Sequence, residues 1–334
     1  MKQYKYIIKT IFIIGLLYGV NKTGTTAAKF LSIEVGSNAV GMGGAYTSIA
    51  KDATAMYWNP AGLSFHDIKE VYFNHANWIA DISFDYFGIT FPMNNKSVLG
   101  FNITSVTMDE MEVTRYGNEN TGETFRAADY AIGSTYALDL TDRFSVGFNG
   151  KYIQQSIANS HAKGFAVDFG TLFITPFGFT LGTSISNFGP KLRMSGDDLL
   201  IGADVDENIE GNNESVTGIL STDYFDLPLV LRIGISDEFQ IGTRNKLVAS
   251  LDAISPNDNA NYINTGAKIH LFDGLISLYA GVNSLFLEKA ESEFSFGGGL
   301  TIPQILNNSL SIYFTHEQMK FLGNSQQLSI SFNY

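Results

Sequence analysis

Apolar and polar residues alternate along most of this chain. From residue 327 to the end, Leu328, Ile330, Phe332 and Tyr334 fall on one face and only polar residues on the other. Phe144, Val146, Phe148 and Tyr152 alternate with Ser145, Gly147, Asn149 and Lys151, and the period recurs through residues 165–173, 229–235, 294–302 and 310–314. A period of two with one apolar face is the mark of a strand half-buried in something oily. The pattern predicts fourteen strands, near 70–76, 82–91, 97–107, 125–139, 143–156, 163–174, 178–187, 228–237, 245–255, 261–271, 274–283, 293–302, 308–316 and 326–334. Many exceed the roughly five or six residues usual in soluble sheets and suit a tilted strand crossing hydrocarbon.

The joints alternate too. Even-numbered joints, at 92–96, 141–142, 175–177, 237–243, 273–274 and 303–307, are short and carry turn residues. Odd-numbered ones include the long stretches 108–124, 188–227, 284–292 and 317–325. Short turns on one side and long loops on the other belong to outer-membrane barrels, whose closure leaves no unpaired strand edge in lipid. The expected fold is therefore all-β: a closed antiparallel transmembrane β-barrel of about 14 strands. A secreted β-sandwich also alternates, but strand length, loop parity and the final aromatic strand oppose it.

Composition agrees. Charged residues make up 16%, against about 25% in an average soluble chain, while Phe 26, Tyr 16 and Gly 33 are abundant. Disordered and coiled-coil classes lack this profile. With Lys+Arg 21 against Asp+Glu 33 and a net charge of −12, the chain would repel phosphate, so nucleic acid is not an expected partner. Lys2, Lys5 and Lys9 precede an apolar run to Val20, followed by the small residues Thr25, Thr26, Ala27 and Ala28. The run is too short to span a bilayer and matches a cleaved signal peptide over 1–27 rather than an anchor. Cys is absent, so neither disulfides nor a lipidated cysteine enter the picture.

Residues 28–68 interrupt the alternation and are expected to form an N-terminal plug or hatch, with the barrel over 69–334. Gly36, Gly41, Gly43 and Gly44 permit tight backbone contact, and Trp58-Asn59-Pro60-Ala61-Gly62 is turn chemistry. A dinucleotide fingerprint fails because Tyr46 stands where its third glycine belongs. The run from Gly36 to Ser64, GSNAVGMGGAYTSIAKDATAMYWNPAGLS, resembles the amino-terminal signature of the PorV/PorQ family, a branch of the FadL-type barrels with fourteen strands. Asn38 and Lys51 depart from the Arg and the acidic residue common in that family. The resemblance implies either of two roles: binding secreted cargo or a partner barrel in a type IX secretion-related assembly, or passive passage of hydrophobic small molecules. It implies a Gram-negative-type outer membrane, with lipid as a constant partner.

Signals for catalysis, cofactor or metal are weak. His66, His75, His161, His270 and His316 show no metal-ligand spacing, and Lys320 stands where a zinc-protease helix needs its second His. Gly182–Ser186 lacks the closing glycine of a nucleophile elbow. Lys151, Asp168, Arg232, Asp252, Lys268, His270 and Glu293 are expected to line a polar lumen. The loop 188–227 is acidic, and its Asp204–Asn208 start resembles a calcium loop, but Ile209 and Ser215 break the pattern. It also carries Leu199, Leu200, Ile201, Ile219, Leu220, Tyr224 and Phe225. Three apolar clusters in one outer loop are expected to form a partner or ligand surface. The plug motif residues Gly41, Gly43, Gly44, Trp58, Asn59, Pro60 and Gly62 complete the candidate sites.

Overall fold

The computed structural model describes residues 23–118, 120–203, 216–288, 290–305 and 308–334. Most of the expected signal peptide, and the calcium-like stretch at 204–215, lie outside these residues. Fourteen barrel strands occur among the described residues: β1 (Glu70–Asn77), β2 (Ser83–Asn94), β3 (Ser97–Thr107), β4 (Ala127–Thr141), β5 (Phe144–Ile157), β6 (Ser160–Ile174), β7 (Thr180–Phe188), β8 (Val230–Ile241), β9 (Asn245–Pro256), β10 (Tyr262–Leu271), β11 (Ile276–Leu285), β12 (Ser292–Ile305), β13 (Asn308–Met319) and β14 (Ser325–Asn333). Each pairs antiparallel with its neighbours, and β1 pairs with β14 from Glu70↔Asn333 to Asn77↔Gln326, closing the barrel. Every strand expected from alternation is present. Boundaries move by up to four residues, as where β8 runs on to Ile241 and β6 starts at Ser160; β4 begins at Ala127, because Thr124–Phe125 turns back to pair with Met111–Glu112 above the wall.

The two faces have opposite chemistry. On β14, Leu328 and Ile330 point out, 42% and 37% exposed, while Gln327, Ser329 and Ser331 point in and are buried. On β8, Leu231, Ile233 and Ile235 face out and Arg232 is buried inside. Apolar-out with polar-in is the arrangement hydrocarbon imposes on a closed sheet. Among the described residues, no helix is long and apolar enough to cross a membrane.

Residues 29–66 lie within the strand ring as short helical pieces, Lys29–Ser32, Ser37–Gly41, Ala55–Trp58 and Pro60–Phe65. Their apolar residues, among them Ala39, Met42, Ala53, Met56, Trp58 and Leu63, form one buried cluster with inward-facing Tyr72, Phe84, Tyr86 and Tyr279. The segment starts at the long-loop rim, where the Ala27 N–H donates to the Asp226 carbonyl at 2.9 Å and Lys29 pairs with Asp258 at 2.6 Å. It ends near the short turns, where the Ser145 hydroxyl donates to the Ala61 carbonyl at 3.1 Å.

A charge on the lipid face tests this orientation. Ile330→Arg places a cation on the outer face of β14, at a cost of roughly 2–4 kcal/mol if it lies near mid-membrane. The unheated, compact gel band of the detergent-solubilised protein should weaken markedly for this variant. An unchanged compact fraction would remove β14 from the lipid-facing wall.

Candidate functional site: the filled lumen and its outer rim

The wall is built to admit a backbone. Several inward positions are glycine, and a methyl group placed there would strike the lumen segment. At Gly147 it would meet the Pro60–Ala61 backbone, at Gly170 the Asn59 side chain, at Gly182 the Thr47 carbonyl (2.5 Å), and at Gly266 and Gly281 the Met42 backbone. Main chain therefore lies against main chain, and the peptide groups buried there need polar partners. Wall side chains provide them. Asp252 accepts from the Thr47 N–H at 2.8 Å, Glu70 from that of Ala53 at 2.7 Å, Ser329 from that of Ser37 at 2.9 Å and Ser295 from that of Gly43 at 3.1 Å. Asn149 donates to the Met56 carbonyl at 3.2 Å.

The motif residues occupy the centre of this contact. Trp58 is fully buried, and its indole N–H donates to the Val35 carbonyl at 2.9 Å. The Arg232 guanidinium lies over the Trp58 and Tyr57 rings at 5.4 and 5.5 Å and donates to the Ser186 hydroxyl at 3.0 Å. Asn59 joins the two bodies: its amide donates to the Thr47 carbonyl at 2.9 Å and to the Thr171 carbonyl of the wall at 3.0 Å. Its oxygen accepts from the Ala61 N–H and starts the turn that Pro60 leads. Gly43 and Gly44 have φ of 65° and 71°, a conformation open chiefly to glycine. Gly41 faces the Tyr279 ring, and Gly62 the Ala50 carbonyl.

Charges expected in the lumen are largely there. Lys151 pairs with Asp168 at 2.9 Å, Lys268 lies 5.6 Å from the Tyr313 ring centre, and His270 contacts the Ser277 hydroxyl at 3.0 Å. Glu293 instead lies exposed at the end of β12, held by the Gln318 amide at 3.1 Å. The pairing of β12 with β13 shifts between Ser292 and Phe294, and the shift turns this residue out of the alternation. Glu34, in the lumen segment, accepts from the Asn283 amide at 2.9 Å. Burial pushes its carboxyl up to about 8, with Glu317 adding to the shift and Arg232 opposing it. Among the described residues, no group of three or more His, Asp or Glu could hold a metal ion.

The outer mouth is covered. Leu192 and Leu227, at the base of the longest loop, pack with Phe30, Leu31, Ile153, Ala162 and Ala166, and Leu192 and Phe225 exchange backbone hydrogen bonds of 2.8 and 2.9 Å. The cavity lined by Phe30, Met56, Tyr57, Asn102, Asn149 and Lys151 measures about 20 Å³, room for about one water molecule. Above the mouth, Leu200–Ala203 pairs with Val216–Ile219. Leu200, Ile201, Ile219, Leu220, Tyr224 and Phe225 are all more than 40% exposed, and Leu199 is half-buried. The wall glycines and the Leu192–Leu227 cover had no distinct sequence signal. The glycines are visible only as inward positions within otherwise regular strands.

Two measurements test the close fit. Gly147→Val and Gly62→Val should raise ion conductance of the protein in planar bilayers while the compact gel band persists. Gly150→Val, with nothing within 4 Å of the added atom, should leave conductance unchanged, and equal behaviour of Gly147→Val and Gly150→Val would refute the fit. The second measurement is of pH. The seated segment keeps a proton on Glu34 that the released segment gives up, so seating is strongest below 4.5 and weakens as pH rises, the loss being complete above about 8. Conductance should rise along this range, and Glu34→Gln should flatten the rise.

The fold has solved counterparts. The toluene transporter TodX of Pseudomonas putida aligns with a TM-score of 0.56 at 12% identity, covering 95% of this chain and 99% of its own. The toluene transporter TbuX of Ralstonia pickettii gives 0.55 at 11%, covering 90% and 97%. A Pseudomonas aeruginosa FadL homologue gives 0.51 at 14%, covering 96% and 99%. At such identities the likeness is one of fold. No curated protein matches the sequence. The profile of the family described as type IX secretion system protein PorV matches residues 19–203, more than half of the chain. With its closed fourteen-strand barrel and that match, this chain is an outer-membrane protein and belongs to the PorV family.

Proposed function

We propose that this protein is a docking barrel: its long-loop face binds secreted cargo or a partner barrel in a type IX secretion-related assembly, and it carries out no catalysis. Residues 28–68 act as a plug, 69–334 as the barrel, and a signal peptide over 1–27 is removed on export. The observation that carries this reading is the packed lumen. Passage of a solute needs a continuous path or an opening in the wall. An open hollow of about 300 Å³ lies between Phe30, Ile33, Trp78 and Val106 at the long-loop rim. Further in, however, the glycine-lined wall touches the plug main chain, and the cavity beside Met56 and Asn149 measures about 20 Å³. A binding barrel needs no path. It needs a rigid platform and an exposed surface, and the apolar residues of the outer hairpin offer one.

Passage of hydrophobic small molecules is the competing role, favoured by the fold shared with toluene transporters. Deleting 196–224 separates the two. Under docking, the deletion leaves the compact gel band and low conductance unchanged but abolishes recovery of secreted proteins or partner barrels after cross-linking in the native membrane. If instead hydrocarbon uptake falls while co-purifying proteins are unchanged, the docking role is wrong.

A further inference from the structure

A groove of about 780 Å³ runs across the outer face of β8–β12, within the range of volumes that hold small organic ligands. Its floor is one row of paired positions: Asp237 faces Ala249, Ala249 faces Ala267, and Ala267 faces Ala280. The next row, Ile235, Leu251, Thr265 and Val282, forms one bank, and Phe294 lines the groove at the far side. The wall is thin here, because Gly266 and Gly281 face inward. Met42 of the plug presses on both from inside, so the depression is braced and preformed.

One end of the groove is chemically distinct. Asp237, Phe179 and Phe239 line it together. The Asp237 carboxylate accepts from the Glu238 N–H at 2.8 Å and belongs to none of the ion pairs among the described residues. The ladder between β7 and β8 ends at Thr180 opposite Ser236, which puts Asp237 level with the short turn at 175–179, where headgroups lie. A carboxylate with two aromatic rings beside it is a receptor for an ammonium group, and it repels an anionic headgroup. We propose that this groove binds a phospholipid whose headgroup carries an ammonium, held at Asp237, with one acyl chain lying over Ala249, Ala267 and Ala280. The site is independent of what the long-loop face binds.

Native mass spectrometry of the full-length protein, delipidated in detergent and titrated with phosphatidylethanolamine or phosphatidylglycerol of matched chains, tests it. Wild type should retain the ethanolamine lipid about tenfold over the glycerol lipid. Asp237→Asn should bring the ratio close to one, and Ala267→Phe, which fills the floor from the lipid side, should lower retention of both about tenfold. The compact gel band reports that each variant folds, and the wild-type ratio decides even where one does not. A wild-type ratio near one, or retention unaffected by Ala267→Phe, overturns the proposal. So does a dimer that Ala267→Phe dissociates without changing lipid retention, which would assign the groove to a second copy.

Discussion

Where the plug meets the wall, the two main chains approach so closely that no side chain fits between them. That constraint organises the interior. Glycine is required at Gly147, Gly170, Gly182, Gly266 and Gly281 by the plug atoms already there. The approach also strands peptide N–H and carbonyl groups away from water, where each would cost about 1–3 kcal/mol if left unpaired. The wall's Asp252, Glu70, Ser295 and Ser329 therefore face backbone groups of the plug. The polar lumen of this barrel is a matched surface for one internal segment.

The charges follow from the same packing. Arg232 lies against Trp58 and Tyr57, and Lys151 is held by Asp168 and Asn187. Unpaired buried charge is expensive, so each strong cation here has a carboxylate, a ring or a hydroxyl beside it. Glu34 belongs to no ion pair among the described residues, and burial together with Glu317 pushes its carboxyl upward.

The barrel was legible in the sequence because lipid enforces a rule of period two on every strand, and Leu328, Ile330 and Phe332 display it without interruption. The plug was legible as a change of texture: glycines and alanines in place of alternation, and a Trp-Asn-Pro turn. Partner identities inside the lumen were not legible. That Asn59 bonds to the Thr171 carbonyl depends on residues more than a hundred positions apart, set by how strands tilt and register. Glu293 shows the limit of parity reasoning, since a single register shift near Ser292 reverses the side a residue faces. The covering leucines, Leu192 and Leu227, lie in a loop, where periodicity has nothing to say.

The plug enters at the long-loop rim and leaves at the opposite end, where it runs directly into β1. The segment is therefore tied at one end to the first strand of the ring it fills. The ring itself closes where the first strand meets the last. That seam is β1 with β14, and both strands hold the plug: Glu70 takes the Ala53 N–H, and Ser329 takes that of Ser37. The two strands that close the ring are thus also among those that hold its contents, and the seam of the barrel and the seat of the plug share the same residues.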